Sequence, residues 1–268
     1  MNSDALTLYP LQLAAALPSI STEQMREVYR MATEDAQLSL LQMMENAGRA
    51  LAMLARDALP PPIASSDGAA TALILAGKGN NGSGALVAAR DLRNWGYDVE
   101  IVLAGPPGTL TETAAQQHHL LHRDGVRALW PGASDFDDRF PQLLDEAITV
   151  LDGLVGHGVT GPLQGDTAVL VEAVLDRAPP VVISLDVPTG FNATTGDVFN
   201  FGVVATTTVT LALPKSGLRQ GDAAAAIGDL YLADIGIPHY IYERLGIEGT
   251  AGIFAEGPLL RLVDSGHS

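Results

Sequence analysis

The stretch that decides the fold spans Thr71 to Leu92 and reads TALILAGKGNNGSGALVAARDL. Its pattern predicts an apolar strand over 73–76, a loop over 77–84 and a helix over 85–92. Four glycines in the eight loop residues allow a sharp turn and a close backbone approach to a ligand. The helix start suits a phosphate, because its first N–H groups lack internal partners. An ordinary strand-to-helix turn explains the same glycines, since their spacing is neither G-x-G-x-x-G nor G-x-x-x-x-G-K-[ST].

Composition favours a folded α/β protein and excludes several functional classes. Of the 268 residues, 47% are hydrophobic and only 5% aromatic, as in parallel sheets built from aliphatic side chains. A net charge of −16 disfavours nucleic acid as a partner, because phosphate contacts need clustered Lys and Arg. The absence of cysteine excludes disulfides, thiolate metal sites and a cysteine nucleophile. No apolar run reaches the roughly 18 residues of a transmembrane helix.

The order of elements predicts the domain organisation. Strands that alternate with helices indicate a doubly wound, mostly parallel sheet. We expect an N-terminal arm over 1–20, a single α/β domain over 21–250 and a C-terminal tail over 251–268. The N-terminus lacks the basic start of a signal peptide, so we expect a cytoplasmic location and no membrane partner.

The expected elements follow from periodicity and turn signals. Further strands are predicted over 99–103, 126–130, 149–152, 181–186, 205–213 and 229–234. Helices are predicted over 23–33, 38–58, 111–123, 140–147, 167–177 and 238–245, with a linker over 65–68.

Polar side chains follow three of the predicted strands. Asn80 and Asn81 follow the first, Asp152 ends another, and Asp186 and Thr189 follow a third. Ligands of doubly wound sheets bind beyond the C-terminal ends of the strands. One acid at such an end often caps a helix. Two acids and two amides on one edge predict a site for a small molecule.

Other polar residues admit two interpretations. His118 and His122 lie one helical turn apart and can bind a metal, but no Glu completes a zincin pattern, so we expect a solvated helix face. Lys78 and Lys215 can meet a phosphate, although we expect them to be solvated.

Several motifs together resemble the YjeF N-terminal domain family, the NAD(P)HX epimerases. The loop Gly77–Gly82 and the helix segment Leu86–Arg90 resemble its first loop and helix. Matching pieces run in order from about Thr22 to Pro238, and they include Met44–Arg49, Leu151–Pro162, Ser184–Gly190 (SLDVPTG, against S-x-D-x-P-S-G), Leu211–Lys215 and Ala233–Pro238.

This resemblance implies a three-layer α/β/α Rossmann-like sandwich with a mostly parallel sheet. It also implies a homodimer with one K⁺ per subunit, and an isomerase that interconverts the R and S forms of NADHX and NADPHX. A dehydratase specific for the S form completes the repair. Because the chain ends at Ser268, we expect that dehydratase to be a separate protein.

The resemblance also assigns site residues. The K⁺ ligands would be Asn81, Asp152 and Thr189, and oxygen donors suit such a hard cation. Asp186 is the first candidate for the carboxyl that gives and retakes a proton, and Asp152 is the second. The substrate would contact Asp186 and two loops, which comprise Asn80, Asn81, Gly82, Ser83 and Gly84, and Gly156, His157, Gly158, Val159, Thr160, Gly161 and Pro162.

The chain departs from the family pattern at two places. The family loop reads N-N-G-G-D-G, so Gly84 stands in place of the acid and Ala85 in place of a glycine. Tyr29 stands where an aspartate is common. These changes leave two alternatives to the epimerase: a non-catalytic member that binds a nucleotide-like ligand or a protein, and another enzyme on this scaffold. A nicotinamide-dependent dehydrogenase is disfavoured, because the loop lacks its fingerprint and Glu100 matches the ribose acid only loosely.

Overall fold

One sheet of nine strands organises the computed structural model, which describes residues 8–62 and 71–264. The strands are β1 (Leu11–Leu13), β2 (Thr71–Ala76), β3 (Asp98–Leu103), β4 (Ala128–Leu129), β5 (Thr149–Gly153), β6 (Val182–Leu185), β7 (Thr207–Leu211), β8 (Asp229–Ala233) and β9 (Leu259–Val263).

Eight α-helices of the described residues surround this sheet: α1 (Thr22–Arg30), α2 (Leu40–Ala58), α3 (Asn80–Asn94), α4 (Glu112–Arg123), α5 (Phe136–Glu146), α6 (Gly165–Arg177), α7 (Ala223–Ala226) and α8 (His239–Arg244). Ser21 and Ser39 cap α1 and α2, each in a reciprocal capping box with the glutamine three residues later. Among the described residues, no helix is long and apolar enough to cross a membrane.

The strand order is β1-β9-β8-β7-β6-β5-β2-β3-β4. All neighbours are parallel except β8 and β9, which confirms the predicted α/β class and the mostly parallel sheet. From β2 the chain builds outward through β3 and β4, then returns to place β5 on the other side of β2. The strand order therefore reverses between β2 and β5, where the C-terminal ends of the strands leave a crevice.

The two faces of β2 pack into different layers. Ala72, Ile74 and Ala76 join the apolar cluster that contains α2 and α3, whereas Leu73 and Leu75 join the cluster that contains α5 and α6. Period-two alternation of a strand that is apolar on both sides produces this arrangement. The sheet is therefore the middle layer between two helical layers.

The structure differs from the sequence predictions mainly at boundaries. The expected arm and tail contribute β1 and β9, and β9 pairs with β8 inside the sheet. Helix α3 starts at Asn80, so five of the eight expected loop residues are helical. The expected helix over 23–33 ends as α1 at Arg30 and continues as a π-helical segment over Met31–Asp35. The linker expected over 65–68 lies outside the described residues.

Candidate active site

A cavity of about 930 Å³ opens where the strand order reverses. The loops that follow β2, β5 and β6 form one wall, and residues of α1 and α2 form the opposite wall. This is the position at which doubly wound sheets bind ligands. The lining includes Arg26, Tyr29, Leu40, Met44, Lys78, Asn80, Asn81, Gly156, His157, Gly158, Asp166 and Asp186.

Two glycines of the first loop allow backbone segments to touch. A Cβ at Gly77 would lie 1.8 Å from the carbonyl oxygen of Leu154, and a Cβ at Gly82 would lie 1.8 Å from that of Gly77. Either contact is impossible for a side chain, so this turn requires glycine at both positions. The tight turn brings the start of α3 against the loop that follows β5.

Helix α3 begins at the cavity. Its N-cap residue Gly79 makes no side-chain cap, so the first N–H groups of the helix are not satisfied by a capping side chain. Asn80 and Asn81 occupy the first turn, and the Asn81 amide nitrogen donates to the carbonyl oxygen of Leu185 at 3.2 Å. The amide therefore ties the β2 loop to the end of β6.

Asp152 lies at the end of β5, where four donors surround its carboxylate. The Thr189 backbone N–H donates at 2.9 Å, its hydroxyl at 2.7 Å and the Ser184 hydroxyl at 2.8 Å. The Leu154 N–H donates at 3.2 Å. Burial raises the pKa of Asp152, although the bonds from Thr189 and Ser184 act in the opposite direction. Asp152 is thus a buried anchor that joins β5 to the loop after β6.

Asp186 follows β6 in a left-handed conformation, with φ of 70°. A positive φ costs energy for a residue with a side chain and is concentrated at functional sites. The carboxylate is 2% exposed, and its Oδ1 lies 2.5 Å from Nζ of Lys215, whose side chain is fully buried. Its Oδ2 accepts from the backbone N–H of His157 at 3.0 Å and from Nδ1 of the same residue at 2.7 Å.

The charges of this cluster favour an ionised Asp186. Burial raises the pKa of Asp186, but the Lys215 ammonium and His157 outweigh it and hold that pKa well below its usual range. Burial lowers the pKa of Lys215, partly offset by the Asp186 charge. Nζ of Lys215 also donates to the carbonyl oxygen of Leu211 at 2.7 Å. The Asp186 carboxylate and the Leu211 carbonyl oxygen both favour the protonated form of Lys215 and so oppose the effect of its burial.

The His157 ring is held on two sides. Its Nδ1 edge meets Asp186, and its face stacks on Tyr29 of α1 at 5.6 Å between ring centroids and 10° between planes. Burial and the Asp186 charge raise the pKa of Tyr29 well above its usual value. Tyr29 therefore stays neutral, and it fixes the imidazole by contact.

The structure brings six of the predicted substrate contacts to the cavity and leaves the others behind or beyond it. The six are Asn80, Asn81, Gly156, His157, Gly158 and Asp186. Gly82, Ser83 and Gly84 lie buried within α3, and Asp152 and Thr189 lie beneath the surface of the site. Val159, Thr160, Gly161 and Pro162 extend past the cavity lining.

The position of the missing acid is part of the core. A Cβ at Gly84 would lie 2.9 Å from the Leu185 side chain and 3.8 Å from the Cβ of Ala47. The residue lies in the second turn of α3, where it packs against α2 and β6. A side chain at this position would therefore enter the packing between these elements before it reached the cavity.

The structure shows the surroundings of the two lysines and two histidines for which the sequence allowed two interpretations. The expectation of a solvated Lys215 is wrong, because its side chain is buried and its ammonium pairs with Asp186. The position of Lys215 in the LALPK motif was the one sequence signal that it has a role in the site. Lys78 is half exposed and lies 3.8 Å from Asp166 at the cavity. His118 and His122 stack at 6.2 Å on α4, and the described residues contain no group of three or more His, Cys, Asp or Glu side chains that could hold a metal ion.

The family described as YjeF-related protein N-terminus matches residues 40–217. The chain belongs to this family. The matched range contains α2, the β2–α3 turn, Asp152, Asp186 and Lys215. It therefore covers the wall formed by the loops and the α2 part of the opposite wall, whereas α1 lies outside it.

Curated relatives extend the match to most of the chain. A protein of Dehalogenimonas lykanthroporepellens, named NAD(P)H-hydrate epimerase, is 37% identical over 93% of this chain and 95% of its own length. One of Rhodopirellula baltica with the same name is 33% identical over 86% and 89%. The bifunctional NAD(P)H-hydrate repair enzyme Nnr of Salinibacter ruber is 34% identical over 91% of this chain but only 44% of its own length.

A solved structure supports the fold independently. The crystal structure of yeast ynu0 (YNL200c) superposes with a TM-score of 0.74 and covers 92% of this chain and all of its own. The sequence identity is 22%, so this similarity concerns the fold alone.

Proposed function

We propose that this protein is an NAD(P)H-hydrate epimerase, an isomerase that interconverts the R and S forms of NADHX and NADPHX. The observation that carries the proposal is the near full-length match to a protein of that name, at 37% identity over 93% of this chain. The cavity supports it, because its volume of about 930 Å³ lies at the upper end of the range for ligand sites.

The reaction makes two demands on the site. The hydroxyl on the reacting carbon must leave, which needs a proton, and water must return to the opposite face, which releases one. His157 and Asp186 both line the cavity, and a 2.7 Å hydrogen bond joins Nδ1 of His157 to Oδ2 of Asp186. Leu40, Met44 and Leu154 add apolar surface to the same cavity. The cavity thus combines titratable groups with apolar surface for the rings of a nucleotide.

We also propose that Asn81, Asp152 and Thr189 hold one K⁺ per subunit. Their oxygens suit a hard cation. The side-chain nitrogen of Asn81 donates a hydrogen bond to the carbonyl oxygen of Leu185. The side-chain oxygen of Asn81 accepts no hydrogen bond from a described residue. Four donors already fill the capacity of the Asp152 carboxylate, so Asp152 would contribute mainly its charge unless one donor turns away. When bound, the cation would supply positive charge next to an anionic dinucleotide.

The remaining proposals concern partners and location. We propose a cytoplasmic homodimer that works with a separate NAD(P)HX dehydratase and with no nucleic acid. A net charge of −16 supports the last point. The existence of relatives named both as an epimerase alone and as a bifunctional repair enzyme supports a division of the repair between proteins.

The experiment is a chromatographic time course with purified (R)-NADHX at neutral pH, in K⁺ buffer and in matched Na⁺ buffer. We expect the S form to appear much faster with protein than in buffer alone, and faster in K⁺ than in Na⁺. Asp186→Asn should reduce the rate by about 100-fold or more, because it removes the buried charge that pairs with Lys215 and holds the His157 ring at the cavity.

The matched control is Asp145→Asn, which removes an exposed carboxylate paired with Arg177 and should leave the rate unchanged. No acceleration by well-folded wild-type protein would overturn the epimerase proposal. If calorimetry then showed binding of NADH, the non-catalytic nucleotide-binding alternative would take its place.

A further inference from the structure

We propose that His157 is the proton-transfer group of this site, and that Asp186 and Tyr29 are the residues that position it. This inference rests on the proposed epimerase function and deepens it. It assigns to His157 the role that the sequence comparison gave to a carboxyl group.

The first step concerns the availability of the two acids. Asp152 lies beneath the site and does not line the cavity, and four donors from its own chain occupy its oxygens. Both oxygens of Asp186 are also engaged, Oδ1 by Lys215 and Oδ2 by two nitrogens of His157. At 2% exposure, Asp186 has little surface left for a ligand. Neither carboxylate is free to exchange protons with a bound substrate.

The second step concerns the orientation of the imidazole. The carboxylate of Asp186 can only accept, so Nδ1 of His157 donates the 2.7 Å bond and carries a hydrogen. In the neutral ring, Nε2 then holds the lone pair. No hydrogen bond from a described residue reaches Nε2. The side chain is 21% exposed and lines the cavity, so the exposed part belongs to the ring edge away from the buried carboxylate.

The third step is the rigidity of this arrangement. The backbone N–H of His157 binds the same Oδ2 at 3.0 Å, so the carboxylate holds both the main chain and the ring. Tyr29 stacks on the ring from the other wall of the cavity. Because Lys215 fixes the far oxygen of the carboxylate, the chain Lys215–Asp186–His157 runs from the core to an imidazole that lines the cavity. In acid–base catalysis by a histidine, a buried carboxylate holds the imidazole in one orientation in the same way.

The proposed steps release as many protons as they consume. The imidazolium of His157 gives its Nε2 proton to the substrate hydroxyl, the C–O bond breaks, and water leaves a carbon that is now stabilised as a cation by its ring nitrogen. Water then adds to the opposite face, and the proton that it releases passes through water in the cavity to neutral Nε2. The C–O bond is re-formed with inverted configuration, and His157 returns to its starting state without any other reactant.

The test compares His157→Ala and His157→Asn with wild type in the (R)-NADHX time course. Removal of a general acid–base group costs about 10²–10⁴-fold in rate. We expect a loss in kcat of that size with KM changed by less than threefold. Added imidazole should restore part of the rate of the His157→Ala variant. It should increase the rates of wild type and of buffer alone only slightly. A merely structural role would show no such rescue.

Two controls separate a loss of proton transfer from a loss of folding or a general effect of removing a histidine. His157→Asn retains an amide that can donate to Asp186, so it serves if the alanine variant fails to fold. His122→Ala removes an exposed histidine of α4 and should match wild type. If wild type is active and the His157 variants have rates within threefold of it, the proposed role of His157 is wrong, whereas the proposed epimerase function still holds. An inactive but folded wild type would instead overturn the proposed function itself.

Discussion

At the scale of single residues, the buried pair of Asp186 and Lys215 sets the character of the site. Two opposite charges removed from water are tolerated only when they are paired and hydrogen-bonded. Lys215 meets both conditions, with Asp186 at 2.5 Å and the carbonyl oxygen of Leu211 at 2.7 Å. The pair fixes one end of the acid–base chain in the core and leaves His157 at the cavity. The stability of the fold and the geometry of the site therefore depend on the same contact.

Lys215→Met should destabilise the protein by about 3–5 kcal/mol, because it leaves an uncompensated carboxylate in the interior. Urea unfolding followed by circular dichroism measures this loss. Lys215→Met combined with Asp186→Asn should recover part of it, since neither charge then remains. The matched control is Arg177→Met, which breaks an exposed pair with Asp145 and should cost less than about 1 kcal/mol. Equal losses in the two single variants would contradict a buried pair.

The sequence predicts the two acids but not their partners. Apolar strands that end in Asp152 and Asp186 place both at one edge by the rule for parallel sheets. The contact of Asp186 with Lys215 joins residues 29 positions apart and depends on how the loop after β7 turns into the core. The contact with His157 depends on the left-handed φ of Asp186. Neither loop geometry is encoded in a periodic pattern, so neither partner is predicted from spacing.

At the scale of elements, the junction of β2 and α3 explains most of the cavity. Gly77 and Gly82 allow the turn to close, and α3 then packs on α2 so tightly that a Cβ at Gly48 would lie 2.4 Å from the carbonyl oxygen of Gly84. The glycine-rich stretch predicts a loop, because glycine disfavours a helix interior by about 1 kcal/mol. Helix packing outweighs that preference from Asn80 onward. The strand and its turn are predicted, but the helix start is not.

Substitutions at Gly84 test whether this position belongs to the packing or to the substrate site. Gly84→Asp should lower the free energy of unfolding by about 3 kcal/mol, because its carboxylate would enter the apolar contact of Leu185 and Ala47. Gly84→Ala is the matched control. It adds a Cβ against the movable end of Leu185 and gains about 0.5–1 kcal/mol of helix preference, so its net effect should be small. A stable Gly84→Asp variant with faster epimerisation would show that the position reaches the substrate.

At the scale of the whole molecule, the sheet has edges that the sequence pattern does not reveal. The seven strands from β2 to β8 follow from their apolar runs and are confirmed. Strand β1 has only three residues and no clear period, and β9 lies in the stretch expected as a tail. Strand β9 forms because the edge of β8 offers backbone partners, and β1 forms because β9 then offers a new edge; both edges are properties of the assembled sheet. Short edge strands of this kind are therefore recognised only in the folded chain.

The proposed homodimer can be tested on this edge. Within the part of the chain that the structure describes, strand β1 ends the sheet, and it exposes Leu11 at 56% and Leu13 at 49%. Exposed leucines on an unpaired strand edge favour contact with a second chain. We expect light scattering after size exclusion to give the mass of a dimer. Leu11→Lys combined with Leu13→Lys should give a monomer, because each lysine would have to be desolvated at the interface.

The control for this surface is Val204→Lys, which changes an equally exposed apolar residue far along the sheet, beside β7. It should leave the mass unchanged, and thermal unfolding of all variants should stay close to wild type, since both sites are exposed in the monomer. A dimer that survives the double substitution would place the interface elsewhere, with α1 and α2 as the next surfaces to test. A monomeric wild type would contradict the homodimer. In that case the cavity residues of a single chain should suffice for epimerase activity, and the rate per molecule should not fall at low protein concentration.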